Sequence, residues 1–221
     1  MRIALPSGTP AEVSASATAP SMGLVIAPDI FGLRPLYDRL VGRLAHEWSM
    51  AVCAVEPFPG LDLSSDVEPR FAAVPSLDDH AHLRDLEEAA DHLVELGATR
   101  VGLLGFCLGG MYCHKACGSA RFHRIVSFYG MIRVPEAWRS PTQGEPLEFL
   151  HAGHADHVLA VIGGLDHYTP PADVEALGAA GVEVVRYADA EHGFAHDASR
   201  PAHRPGDAAD AFDRAERWLT S

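Results

Sequence analysis

The sequence has little positive charge, no paired-cysteine spacing and no long apolar run, and each shortage removes a class of protein. Seventeen Lys and Arg stand against 30 Asp and Glu, a formal net charge of −13, and no stretch gathers the cations into a stripe. Binding to nucleic acid or to an anionic membrane is disfavoured, because both depend on clustered cations. Cys53, Cys107, Cys113 and Cys117 show no CxxC spacing, and three of them fall in one short segment. A disulfide framework makes little sense there, so a reducing, cytoplasmic setting is expected. No run approaches the roughly 18 to 20 apolar residues of a membrane span. Met1 to Pro20 carries no apolar stretch of signal-peptide length. Internal repeats and low-complexity tracts are missing too, and 221 residues at 48% hydrophobic content suit one domain, residues 1–221, around one substantial core.

What is present is an alternation. Met22 to Ala27, Met50 to Val55, Val101 to Gly105, Arg124 to Tyr129, Val158 to Gly163 and Val182 to Tyr187 are apolar runs of strand length. Between them Pro35 to Trp48, Leu77 to Leu96, Leu108 to Cys117, Pro171 to Ala180 and Asp207 to Leu219 read as helices. Arg2 to Leu5 could be a short strand, and Thr9 to Ala19 a second edge strand or a loose loop. Leu61 to Ser76 is polar and proline-spaced like a surface excursion, and Met131 to Ala155 reads as an irregular connection. Strand–helix alternation of this kind predicts an α/β fold: a mostly parallel central sheet flanked by helices on both faces, with functional groups at the carboxyl ends of the strands.

The chemistry centres on Gly105-Phe106-Cys107-Leu108-Gly109-Gly110, which follows an apolar strand and opens a helix. Strand, abrupt turn and helix with small flanking residues describe a nucleophile elbow, here with Cys107 at its tip. Unpaired N–H groups at a helix N-terminus favour a thiolate, the nucleophilic form. A nucleophile needs a base, and the base an orienting acceptor. Asp166 ends Val158 to Asp166, an apolar strand running into a Gly-rich turn, and His192 follows the strand Val182 to Tyr187 in Ala190-Glu191-His192-Gly193-Phe194. The chain order Cys107, Asp166, His192 matches the nucleophile, acid, histidine order of α/β-hydrolases.

Together, Gly105 to Gly110, Gly163-Gly164-Leu165-Asp166, Glu191-His192-Gly193-Phe194 and Pro28-Asp29-Ile30-Phe31-Gly32 resemble the signatures of the dienelactone hydrolase family over about Met22 to Leu219. The resemblance implies an α/β-hydrolase fold and a Cys107–His192–Asp166 triad. It further implies opening of a small lactone or carboxylic ester through an acyl-enzyme, with no metal or organic cofactor. Leu108, after the nucleophile, would supply one oxyanion N–H and, by similarity, Ile30 the other. Asp29 stands where family members carry a Glu that contacts the resting thiol, and it is one methylene shorter. His196 stands where they carry a substrate-binding Arg, and imidazole cannot make the bidentate carboxylate clamp of a guanidinium. Arg70, Arg200 and Arg204 are candidates to replace that Arg. Phe31, Arg70, Tyr129, His167, Tyr168, Phe194 and His196 are candidate pocket residues. The expected partner is a small-molecule substrate, and the chain is expected to be a monomer or small homo-oligomer.

Simpler readings stand beside these. Cys53, Cys113 and Cys117 suit a core. The cluster His151, His154, Asp156 and His157 is read as a polar surface loop rather than a zinc site, because no periodicity puts its side chains on one face. Histidines outside the motifs, among them His82, His114 and His196, are read as surface or rim residues, and Asp78, Asp79, Arg84, Glu87, Glu88 and Asp91 as the solvated face of a helix. A non-catalytic or redox-responsive binding protein on the same fold is the alternative to an enzyme. A class I glutamine amidotransferase is weaker, since the elbow lacks a following Gln and His192 lacks a His-Pro-Glu context.

Overall fold

A computed structural model describes residues 1–15 and 20–221. Eight strands form one sheet in the order β1-β2-β4-β3-β5-β6-β7-β8. β1 (Arg2–Ala4) pairs antiparallel with β2 (Pro10–Ala15), and β2 antiparallel with β4 (Ala51–Val55). The remaining strands, β3 (Met22–Ala27), β5 (Arg100–Phe106), β6 (Ile125–Phe128), β7 (Val158–Gly163) and β8 (Glu183–Tyr187), continue from β4 in parallel register. β3, β4, β6 and β7 are buried along their whole length. A parallel strand covered on both faces has no need of alternation, which is why these segments read as unbroken apolar runs.

The two faces bury different halves of each strand. Val25, Cys53, Val101 and Leu103 point into one core with α3 (Asp79–Glu95), α4 (Leu108–Lys115) and α6 (Pro171–Ala179). Leu24, Ile26, Val52, Leu104, Phe106 and Phe128 point into the other with α1 (Pro35–Glu47) and α7 (Pro205–Thr220). Side chains on successive strand residues alternate between the two. No helix among the described residues is long and apolar enough to cross a membrane.

Several expectations change. The segment Pro10–Ala15 is a strand but not an edge, since β1 covers it, and residues 16–19 of the expected Thr9 to Ala19 element lie outside the described residues. Inside the Leu61 to Ser76 excursion lies α2 (Val67–Ala73), and inside the Met131 to Ala155 connection lies α5 (Pro146–Ala152). Both helices are seven residues long, too short to display an amphipathic period. Asp79 is not on a solvated face: it is 3% exposed and accepts from the chain's one lysine, Lys115, at 2.8 and 2.9 Å, and from the Gly144 N–H at 2.8 Å. The elbow helix is thereby tied to α3. His82 and His114 are buried as well, and burial pushes both imidazoles down to about 4.

Candidate active site

β5 ends at the elbow. Cys107 has φ of 56° and ψ of −113°, a positive-φ conformation that side-chain-bearing residues rarely adopt, and it is held there by its N–H donating to the Phe128 carbonyl at 3.0 Å. The turn closes because its neighbours are glycines. A Cβ on Gly105 would overlap the Gly109 carbonyl, and one on Gly109 would overlap the Ala27 carbonyl. The thiol is thus presented half-exposed at the sheet's carboxyl rim, at the N-terminus of α4.

Asp166 and His192 reach the same rim from the turns after β7 and β8. His192 Nδ1–H donates to Asp166 Oδ2 at 2.8 Å, and the other carboxylate oxygen accepts the Tyr168 N–H at 2.9 Å. Nδ1 is therefore committed, and Nε2 has no hydrogen-bond partner of ordinary geometry among the described residues. The group beside it is Cys107. Burial alone would lower the imidazole's affinity for a proton. The charge of Cys107 and hydrogen bonding to Asp166 and Cys107 outweigh burial and raise the pKa to about 10. Tyr168 and Tyr129 flank the ring edge-on, with centroids at 4.8 and 5.2 Å.

The thiol opens into a cavity of about 380 Å³ lined by Ile30, Phe31, Val67, Phe71, Met131, Trp138 and Tyr168, with Asp29, His192 and Arg200 as its charged and titratable lining. Ile30 and Leu108 N–H groups have no hydrogen-bond partner among the described residues.

Of the pocket residues expected from sequence, the structure brings Phe31 and Tyr168 to the cavity and leaves the others elsewhere. Tyr129 and Phe194 are fully buried beneath the rim, and His167 is exposed, its ring tilted against Tyr168 with centroids 4.0 Å apart. Arg70 spends its guanidinium on the carbonyls of Ser64, Leu63 and Ile30, at 2.7, 3.0 and 3.1 Å. His196 is 7% exposed, stacks on Phe106 at 4.6 Å, pairs through Nδ1 with the Tyr129 hydroxyl at 2.5 Å, and donates from Nε2 to Asp29 at 2.8 Å. Asp29 makes no hydrogen bond to the thiol among the described residues. Its Oδ1 accepts from Arg34 at 2.6 Å and from the Phe31 N–H at 3.0 Å, and its Oδ2 from Arg34 at 2.8 Å and from His196. Burial opposes its charge, but His196 and Arg34 win, and the carboxyl stays well below the usual carboxylate range.

Among the three candidate arginines only Arg200 lines the cavity, folded over Gly193, where any side chain would run into its guanidinium. It forms no ion pair among the described residues. Sequence reading did not single out Val67, Phe71, Met131 or Trp138, which come from the two segments read as irregular. No group of three or more His, Cys, Asp or Glu among the described residues is arranged to hold a metal ion.

Comparison with known proteins agrees with this architecture. The profile of the dienelactone hydrolase family matches residues 10–221. Carboxymethylenebutenolidase of Pseudomonas putida is 28% identical over 203 residues, 86% of this chain and 81% of that protein. The enzyme of the same description from Rhodococcus opacus is 28% identical over 210 residues, 89% and 81% of the two chains. A solved structure from Klebsiella pneumoniae subsp. pneumoniae, provisionally described as a dienelactone hydrolase, superposes with a TM-score of 0.85 at 24% identity. It covers all of this chain and 98% of its own. At that identity the superposition speaks for the fold, and the profile match for descent: this chain belongs to the dienelactone hydrolase family and is a hydrolase.

Proposed function

We propose that the chain hydrolyses a small carboxylic ester or lactone that carries an anionic group, with Cys107 as nucleophile, His192 as acid and base, and Asp166 as orienter. The observation that carries this reading is His192, fixed by Asp166 through Nδ1, with Nε2 unpartnered among the described residues beside Cys107 on a cavity that both residues line. With the imidazole's pKa raised to about 10, a proton resides on His192 at neutral pH, beside the Cys107 sulfur.

The thiolate attacks the carbonyl carbon, and the electron pair moves onto the carbonyl oxygen. Ile30 and Leu108 N–H groups, which have no other partner among the described residues, are available to that oxyanion. Collapse expels the alkoxide, which takes the proton from His192 Nε2 and leaves a thioester. Water then gives a proton back to His192 as it attacks the thioester, and expulsion of the thiolate releases the carboxylic acid, which ionises by losing its remaining proton to solvent.

Arg200 argues for the anionic group. It is a guanidinium with no ion-pair partner among the described residues, on a cavity whose wall is mostly apolar and small enough that a compact substrate would bring a carboxylate within its reach. The test is a panel of activated esters and lactones with and without a free carboxylate. Cys107→Ala should abolish turnover of all of them. Arg200→Gln should lower kcat/KM for the carboxylate-bearing members by about 10- to 100-fold, the worth of one charge-assisted contact, and leave neutral esters nearly unchanged. Full activity in Cys107→Ala would overturn the nucleophile, and an equal loss on both substrate classes would overturn the anion site.

A further inference from the structure

The turn between β3 and α1 is pinned with unusual completeness. Of the N–H groups from Asp29 to Leu33, all but one have partners: Asp29 N–H donates to the Tyr37 hydroxyl at 2.7 Å, Phe31 N–H to Asp29 Oδ1 at 3.0 Å, Gly32 N–H to the Asp29 carbonyl at 2.9 Å and Leu33 N–H to Glu56 at 2.9 Å. The exception is Ile30. Its N–H belongs to the Asp29–Ile30 peptide, whose carbonyl Gly32 holds. The next peptide, Ile30–Phe31, is held at both ends, its N–H by the Asp29 carboxylate and its carbonyl by Arg70 at 3.1 Å. Both peptide planes flanking Ile30 are fixed, so the direction of its N–H is fixed with them.

Neither Asp29 nor Arg70 is therefore spent as the family pattern suggests. The hydrogen bonds of the Asp29 carboxylate among the described residues go to Arg34, His196 and the Phe31 N–H and none to the thiol, and Arg34 and His196 hold it as an ionised, acceptor-only group. Arg70 donates to three backbone carbonyls and lies against the Phe31 ring, 5.7 Å from its centroid, on the outer side of the turn. We infer that Asp29 and Arg70 are positioning residues for acyl transfer, which clamp the Ile30–Phe31 peptide from its two ends and so aim the Ile30 N–H at the oxyanion. This role rests on the acyl-enzyme reading above. It makes Arg70 a backbone clamp instead of a substrate anchor, and Asp29 a builder of the oxyanion site instead of a partner of the thiol.

Two reactions at the same sulfur test it. Ester turnover develops an oxyanion, whereas alkylation of Cys107 by iodoacetamide displaces iodide at a saturated carbon and develops none. In Arg70→Met, and separately in Asp29→Asn, kcat for a neutral nitrophenyl ester should fall about 10- to 100-fold, part of the value of a complete oxyanion donor, with KM little changed. The alkylation rate should stay within about twofold of wild type, because the thiolate is unaltered. Arg70→Lys, able to reach one carbonyl but not three, should recover part of the kcat. Arg70 sits at the surface of α2, so its variants keep the test open if Asp29→Asn fails to fold.

Equal losses in turnover and alkylation would place these residues on the thiol and overturn the inference. A raised KM at constant kcat, confined to carboxylate-bearing substrates, would make Arg70 a substrate anchor and overturn it too. So would unchanged ester turnover in both variants. Loss of the acyl-enzyme reading itself would show differently, as undiminished turnover in Cys107→Ala.

Discussion

Two histidines four residues apart each give a proton to a buried aspartate at 2.8 Å, yet their surroundings make them opposites. His192 bonds Asp166 through Nδ1, leaves Nε2 unpartnered and lines a cavity. His196 bonds Asp29 through Nε2, closes Nδ1 with the Tyr129 hydroxyl and lies flat on Phe106. The pair as such does not make a base. What does is one ring nitrogen kept without a partner, beside a reactive group and within reach of substrate. The other pair, closed on all sides and tied to Arg34, is suited to holding backbone in place.

Substituting each histidine should break the comparison most sharply. His192→Gln should lower kcat/KM about 10³-fold or more, as loss of a general acid and base does, with the effect on activity outweighing that on stability. His196→Ala should do the reverse. It leaves the Tyr129 hydroxyl unpaired while Asp29 keeps Arg34, costing about 1–3 kcal/mol of stability in urea denaturation and a smaller part of the activity. If His196→Ala abolished turnover with unchanged stability, the division between the two pairs would be wrong.

Removing the acceptor instead of the histidine is the next largest effect. Asp166→Asn frees the His192 ring to take the other tautomer, and turnover should fall by roughly 10²- to 10⁴-fold, as in other triads whose orienting acid is amidated.

The smallest effects lie in pH dependence, where the pairs should fail at opposite ends. His192 has a raised folded pKa, so its contribution to stability is complete below its unfolded value near 6.5 and is lost as pH rises through about 10. Asp29 has a depressed one, so its contribution is complete above the ordinary carboxylate value of 3.8 and is lost as pH falls towards the folded value. Urea midpoints measured across pH should therefore decline more steeply in wild type than in His192→Gln on the alkaline side, and more steeply than in Asp29→Asn on the acid side. An NMR titration of His192 should show its midpoint moving to lower pH in Cys107→Ala, where the partner charge is gone. An unmoved midpoint would separate the imidazole from the thiol.

Much of this was legible in the residues. The parallel strands announced themselves because strands buried on both faces carry only apolar side chains, and Cys107, Asp166 and His192 because glycines mark the turns that present them. Arg200 was legible only as one of three arginines, since its place depends on how the loop after His192 folds back over Gly193. The ion pair of Asp79 and Lys115 escaped because its members lie 36 positions apart on different helices. Asp29 and His196 were recognised as departures from the family pattern, but two substitutions 167 positions apart gave no sign that each answers the other.

One contact in the elbow joins what the sequence keeps separate. The Gly109 N–H donates to the Pro28 carbonyl at 3.1 Å, and no side chain fits between the two segments. Leu108 precedes one end of that bond and Ile30 lies two residues beyond the other. The distance between the two proposed oxyanion donors is thus gauged like the jaws of a caliper, with the missing side chain of residue 109 as the stop. Gly109→Ala would reset that gauge and alter both donors at once, so tuning one jaw independently requires changes on the Ile30 side of the gap.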